Sequence, residues 1–134
     1  MKNWAEIFKS ARRSGLYNVA DDVELNVAGQ AALAAGMRAV DIDLHGVSDK
    51  EGLLKSIAGP LQFPGYFGMN WDALEECLKD LSWLPAKGYL LLLHGAAGLD
   101  KPVTGDIKTL FIIFRRAVTC WKKAGTPFFV LFSV

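Results

Sequence analysis

The chain has 134 residues, 51% of them hydrophobic and 22% charged, which is the size and composition of one compact domain. A mean hydropathy of +0.22 excludes an intrinsically disordered chain, and two cysteines are too few for a disulfide framework. The net charge of +1 is unevenly spread, because residues 21–80 hold eleven acidic residues against four basic ones, a net charge of −7, whereas the segments on either side are basic.

The N-terminal segment, residues 1–37, is predicted to be an extension that precedes the main domain, residues 38–134. Trp4, Ile7, Phe8 and Ala11 recur at helical spacing, which predicts a short amphipathic helix. Such a helix could lie on a membrane, but docking on its own domain is favoured because its apolar anchors are few. Residues 16–19 fit a strand at the edge of a sheet. Residues 24–35 fit a helix that ends at a glycine.

The main domain begins with alternating apolar and acidic residues at positions 39–44, the pattern of a strand with one covered face. Ser48 and Glu51 are spaced as a capping box, which predicts that Ser48 starts the next helix and that this helix ends at the following Gly-Pro pair. A loop rich in proline and glycine follows. Asn70 is then expected to cap a helix that starts at Trp71.

Two uniformly apolar segments, residues 89–93 and 128–132, are typical of strands that are buried on both faces of a parallel sheet. A long amphipathic helix lies between them and ends at Gly125. Alternation of strands and helices predicts an α/β fold: a small parallel sheet of three core strands, with residues 16–19 as a candidate fourth strand at the edge, and helices packed on the sheet.

The sequence contains no motif of a metal or cofactor site. Cys77 and Cys120 lie in neither a CxxC motif nor a Cys/His cluster, so both are expected to be reduced core residues. His45 and His94 follow predicted strands, where α/β folds place ligands, and this position leaves open a small α/β enzyme that uses them. Each histidine precedes a glycine in a turn, which favours a hydrogen-bonding role instead.

The predicted helix after Asn70 is acidic. Asp72, Glu75, Glu76 and Asp80 stand at i, i+3, i+4 and i+8, so they are expected to share an exposed face of the helix. An ordinary solvated helix face has the same composition, and spacing alone does not distinguish the two interpretations.

Residues 63–78, FPGYFGMNWDALEECL, resemble the signature of barstar-like proteins. The order of strands and helices agrees with that family over residues 38–133. The resemblance implies a barstar-like fold and a cytoplasmic inhibitor that binds a microbial ribonuclease one to one. In such a complex, the acidic helix and its preceding loop block the cationic active site of the nuclease.

The resemblance also implies which residues would contact the partner, and no catalytic residue, metal or cofactor is expected. The contact surface carried over from the family consists of Tyr66, Asn70, Trp71, Asp72, Glu75, Glu76, Lys79, Asp80 and Leu81. We expect a monomer when the chain is free, with no direct binding of nucleic acid and no membrane association.

Three positions depart from the family pattern. Glu76 stands where the prototype has the shorter aspartate, and Glu75 stands where it has an aromatic residue. A further acid of the prototype aligns with Arg116 or Cys120 on a helix that is basic in this chain. These departures favour a partner other than the prototype's nuclease, and an alternative is a non-inhibitory module that binds another basic protein.

Overall fold

The computed structural model describes residues 2–65, 68–98 and 104–133. The described part of the chain contains one parallel sheet with the strand order β1-β4-β3-β2. The strands are β1 (Gly15–Asn18), β2 (Arg38–Asp43), β3 (Tyr89–His94) and β4 (Phe128–Phe132). The predicted α/β class with a parallel sheet is therefore confirmed, and the candidate N-terminal edge strand is present as β1.

Helices cover both faces of the sheet. They are α1 (Trp4–Ile7), α2 (Asp22–Ala34), α3 (Lys50–Ala58), α4 (Trp71–Asp80) and α5 (Thr104–Ala124). One face of the sheet packs on α3, α4 and α5, where Leu91 and Val130 are completely buried with Leu74 of α4 and Phe114 of α5. Burial of such side chains supplies most of the free energy that holds the layers together.

The opposite face is covered by the N-terminal segment. Trp4 and Phe8 pack together near Phe129, and Leu25 of α2 is fully buried in the same cluster. Strand β1 pairs along β4, so that β4 becomes an interior strand. The two strands predicted to be buried on both faces, β3 and β4, are therefore the two interior strands of the sheet.

The start of α3 differs from the prediction by one residue. Asp49, not Ser48, occupies the N-cap, and its Oδ1 accepts a hydrogen bond of 2.7 Å from the backbone N–H of Gly52. Glu51 forms an ion pair with Lys55 instead of closing a capping box. The prediction was wrong because Ser and Asp are both favourable caps and stand side by side in the sequence, so spacing alone could not choose between them.

No helix among the described residues is long and apolar enough to cross a membrane.

Candidate functional site

The N-terminus of α4 is fixed by local hydrogen bonds. Asn70 caps the helix as predicted, because its Oδ1 accepts from the backbone N–H of Ala73 at 2.8 Å. Its Nδ2 donates to the carbonyl oxygen of Gly68 at 3.3 Å. Met69 has a φ of 52°, a left-handed conformation that costs a non-glycine residue about 1 kcal/mol, and it directs the chain into the helix.

The C-terminus of α4 is fixed by the core. Leu81 ends the helix in a left-handed conformation with a φ of 50°, and its backbone N–H donates to the carbonyl oxygen of Cys77 at 3.1 Å. The indole of Trp121 on α5 donates to the carbonyl oxygen of Leu78 at 2.8 Å. Trp83 donates in the same way to Leu61, in the loop before α4, at 3.0 Å. Helix α4 is thus held at both ends and along its side.

The exposed face of α4 carries three of the predicted acids. Asp72, Glu76 and Asp80 recur every four residues and are all exposed. We call these three residues the acidic ridge. Asp72 lies in the first turn of the helix, where the positive end of the helix dipole stabilises its charge.

Glu75 does not belong to this ridge. Its side chain is 21% exposed and turns toward α5, where Oε1 accepts from Nη1 of Arg116 at 3.0 Å and Oε2 lies 2.6 Å from Nζ of Lys79. Hydrogen bonds from Lys79 and then Arg116 hold the pKa of the Glu75 carboxyl below its usual range. The prediction that all four acids face outward was therefore wrong for Glu75, because a basic residue on α5 stands opposite it.

The remaining predicted contact residues have different environments. Tyr66 lies outside the described residues. Trp71 is partly buried against the core, with the ammonium group of Lys50 5.5 Å from the centre of its ring. Leu81 is 1% exposed and lies in the core, so its side chain is not part of the surface.

A groove between α4 and α5 was not anticipated from the sequence. Its volume is about 680 Å³, and it is lined by Lys79 of α4 and by six residues of α5: Arg115, Arg116, Thr119, Cys120, Lys123 and Ala124. The spacing of Arg116, Thr119 and Lys123 along α5 could have indicated a shared face. Without the packing of α5 on α4, however, nothing in the sequence placed that face beside the acids.

The two histidines lie at the carboxyl end of the sheet, each beside a carboxylate of β2. Nε2 of His94 lies 2.8 Å from Oδ1 of Asp41, and Nδ1 of His45 lies 2.7 Å from Oδ1 of Asp43. The backbone N–H of His45 also donates to Asp43, and these two hydrogen bonds lower the pKa of the Asp43 carboxyl. The positions of the histidines after strands were thus predicted correctly, whereas their pairing with Asp41 and Asp43 was not anticipated.

Neither cysteine is bonded to the other. Cys77 is buried, and burial followed by the nearby carboxylates of Asp80 and Glu76 raises the pKa of its thiol. Cys120 is partly exposed in the groove. In the described part of the chain, no three His, Cys, Asp or Glu side chains are grouped closely enough to hold a metal ion.

Comparison with known families identifies the main domain. A family model described as Barstar (barnase inhibitor) matches residues 37–133, nearly three quarters of the chain. The chain belongs to the barstar family. No curated protein matches the chain. The matched region contains α4, the acidic ridge and the groove. Because the family is one of inhibitors, the match fits a binding protein better than an enzyme.

Proposed function

We propose that this chain is an intracellular inhibitor of a ribonuclease, and that the acidic ridge with the loop before α4 blocks the cationic active site of that enzyme. The observation that carries the proposal is the exposure of Asp72 and Glu76 on a helix that is fixed at both ends, in a chain of the barstar family. A rigid helix binds with little loss of conformational entropy, so the carboxylates need not be ordered on binding.

The chemistry of a ribonuclease site suits these carboxylates. Such a site binds phosphates with arginine, lysine and histidine side chains, and a carboxylate can replace a phosphate oxygen through charge-assisted hydrogen bonds, which are often bidentate with arginine. Opposite charges also steer the two proteins together and raise the rate of association. In this proposal, Asp72 and Glu76 enter the active-site cleft of the nuclease. The residues that contact the nuclease surface around the cleft are Asn70, Trp71, Lys79 and Asp80.

The internal ion pair of Glu75 supports a partner that differs from the prototype's nuclease. Glu75, which stands in place of an aromatic residue, is engaged with Lys79 and Arg116 inside the chain. Neither Arg116 nor Cys120, the two positions that align with the prototype's further acid, is acidic. We therefore assign Glu75 to the support of α4 and not to the contact with the partner.

The proposal is tested by measuring RNA cleavage by a panel of secreted microbial ribonucleases, with and without the purified full chain. We expect stoichiometric, one-to-one inhibition of at least one member of the panel that weakens as salt rises, because steering between exposed charges is screened. If no guanyl-specific or related ribonuclease is bound or inhibited, the proposed function is wrong.

A second candidate is a module that binds a basic protein without nuclease activity. The lack of an acid at both Arg116 and Cys120 favours it, because the family's prototype has an acid on this helix. The same panel separates the two candidates when it is combined with a pull-down on the full chain, since an adaptor would bind a basic partner through the acidic ridge and leave RNA cleavage unchanged.

A further inference from the structure

The groove between α4 and α5 is strongly cationic. Four of its lining residues, Lys79, Arg115, Arg116 and Lys123, carry positive charge, and no acidic residue lines it. The groove is open to solvent and has a volume of about 680 Å³, so side chains of another protein can enter it.

The positive charge of the groove is only partly neutralised within the chain. The single carboxylate of Glu75 contacts both Lys79 and Arg116 at one edge. Arg115 and Lys123 form no ion pair within residues 2–65, 68–98 and 104–133. Both side chains are exposed, so they can reach a ligand without any rearrangement of the helices.

The groove adjoins the acidic ridge. Lys79 lies in the groove, whereas Glu76 and Asp80 belong to the ridge, and all three residues are on α4. A partner that covers the ridge would therefore extend over the groove, and it would meet negative charge on one side and positive charge on the other.

We propose that the groove binds carboxylate side chains of the same protein partner, so that the partner presents a cationic cleft bordered by an acidic patch. This inference rests on the proposed function for the identity of the partner. The preference of the groove for carboxylates can be measured without that partner.

Charge favours carboxylates of a folded protein over nucleic acid as the occupant. A nucleic acid carries phosphates along its whole length, so a strand that leaves the groove over α4 would approach Glu75, Glu76 and Asp80 and be repelled. A protein can place a few carboxylates in the groove and basic residues on the ridge. The groove would then also help to select the partner, because a protein whose cleft is bordered by additional basic residues would be repelled.

The test is a binding titration of the full chain by nuclear magnetic resonance, with a hexaglutamate peptide and a single-stranded RNA hexamer as probes. The groove variant is Arg115→Gln/Lys123→Gln. The control variant is Lys108→Gln/Lys122→Gln, which removes the same charge from exposed positions of the same helix outside the groove. We expect the peptide to shift resonances of Arg115, Thr119 and Lys123. The groove variant should bind it about tenfold more weakly, and the control variant within about twofold of the wild type.

Two results would overturn the inference: an equal loss of peptide binding in both double variants, which would indicate attraction to the helix as a whole, or tighter binding of the RNA than of the peptide in the groove. The single substitutions Arg115→Gln and Lys123→Gln are measured as well, so that misfolding of one variant leaves the test intact. Asp72→Ala/Glu76→Ala should retain peptide binding. A wild-type chain that binds the peptide in the groove but inhibits no ribonuclease would refute the proposed function alone, whereas a chain that inhibits a ribonuclease but fails to bind the peptide in the groove would refute only this inference.

Discussion

Glu75 links the two helices of the candidate site through its ion pair with Arg116, in addition to the hydrogen bond from Trp121 to Leu78. It occupies a position that spacing assigns to an acidic face, yet its carboxylate is shared between a neighbour on the same helix and Arg116 on α5. A partly buried carboxylate with two cationic partners is stabilised more than an exposed one, because water screens its charge less.

The free energy of unfolding should therefore depend on pH through Glu75. Because the pKa of its carboxyl is lowered in the folded chain, the stabilisation is fully present above the unfolded value of about 4.3. It is lost as pH falls through the lower folded value. Glu75→Gln should cost up to about 1 kcal/mol at pH 7, and this difference from the wild type should shrink progressively below pH ~4.3.

Urea unfolding between pH 7 and pH 3 measures this difference. Glu51→Gln is the matched control, since Glu51 also pairs with a lysine four residues later, but both side chains of that pair are about two-thirds exposed. If both substitutions lowered the free energy of unfolding equally at pH 7, the contact of Glu75 with α5 would contribute nothing to stability.

The cap of α3 gives a second test at single residues. Asp49→Ala removes the side chain that accepts from Gly52 and should lower the free energy of unfolding by about 1 kcal/mol, whereas Ser48→Ala should be neutral within error. Chemical denaturation of both variants measures these changes in the free energy of unfolding. The reverse order of effects would restore Ser48 as the cap.

Strand β4 contributes buried side chains to the hydrophobic cores on both faces of the sheet. Val130 is completely buried and pairs with Leu91 of β3 and Leu16 of β1. Val130→Asp would place a charge without a counter-ion in a dry core and should destabilise the chain by about 3 kcal/mol or more.

The same substitution at an exposed valine is the control for this prediction. Val23 in the first turn of α2 is 62% exposed, so Val23→Asp should change the free energy of unfolding by no more than about 0.5 kcal/mol. Thermal unfolding compares the two variants. A Val130→Asp protein that melts with the wild type would contradict the interior position of β4.

The elements themselves were largely predictable. Apolar runs on both faces identified β3 and β4, alternation identified β2, and Asn70 marked the start of α4, because each of these signals is local. The contact of Glu75 with Arg116 was not predictable, since Arg116 lies 41 residues away along the chain. The cationic groove exists only because α5 packs against α4, and sequence patterns of single helices do not contain that information.

The N-terminal segment covers one face of the sheet and supplies strand β1, although the family match starts only at residue 37. Leu90 and Leu92 of β3, with Phe129 and Leu131 of β4, form the sheet face that this segment covers. Deletion of residues 2–36 would expose these side chains and remove β1, one of the two strands that pair with β4.

We therefore expect the fragment 37–134 to be insoluble or unfolded, because the lost burial of Leu25, Trp4 and their neighbours is not replaced. Circular dichroism and thermal unfolding of the fragment beside the full chain measure this. A fragment with the melting temperature of the full chain would show that residues 38–134 form an independent domain.

The central claim is that Asp72 and Glu76 block a ribonuclease, and its most direct test is the inhibition constant of the double variant Asp72→Ala/Glu76→Ala. The assay uses the nuclease of the panel that the wild-type chain inhibits most strongly. Asp22→Ala is the control, since Asp22 is an exposed acid in the first turn of another helix. We expect inhibition by the double variant to be at least about 100-fold weaker, because basic groups of the nuclease would be buried without counter-charges, and inhibition by the control to be unchanged. A folded double variant that inhibits as strongly as the wild type would contradict the account.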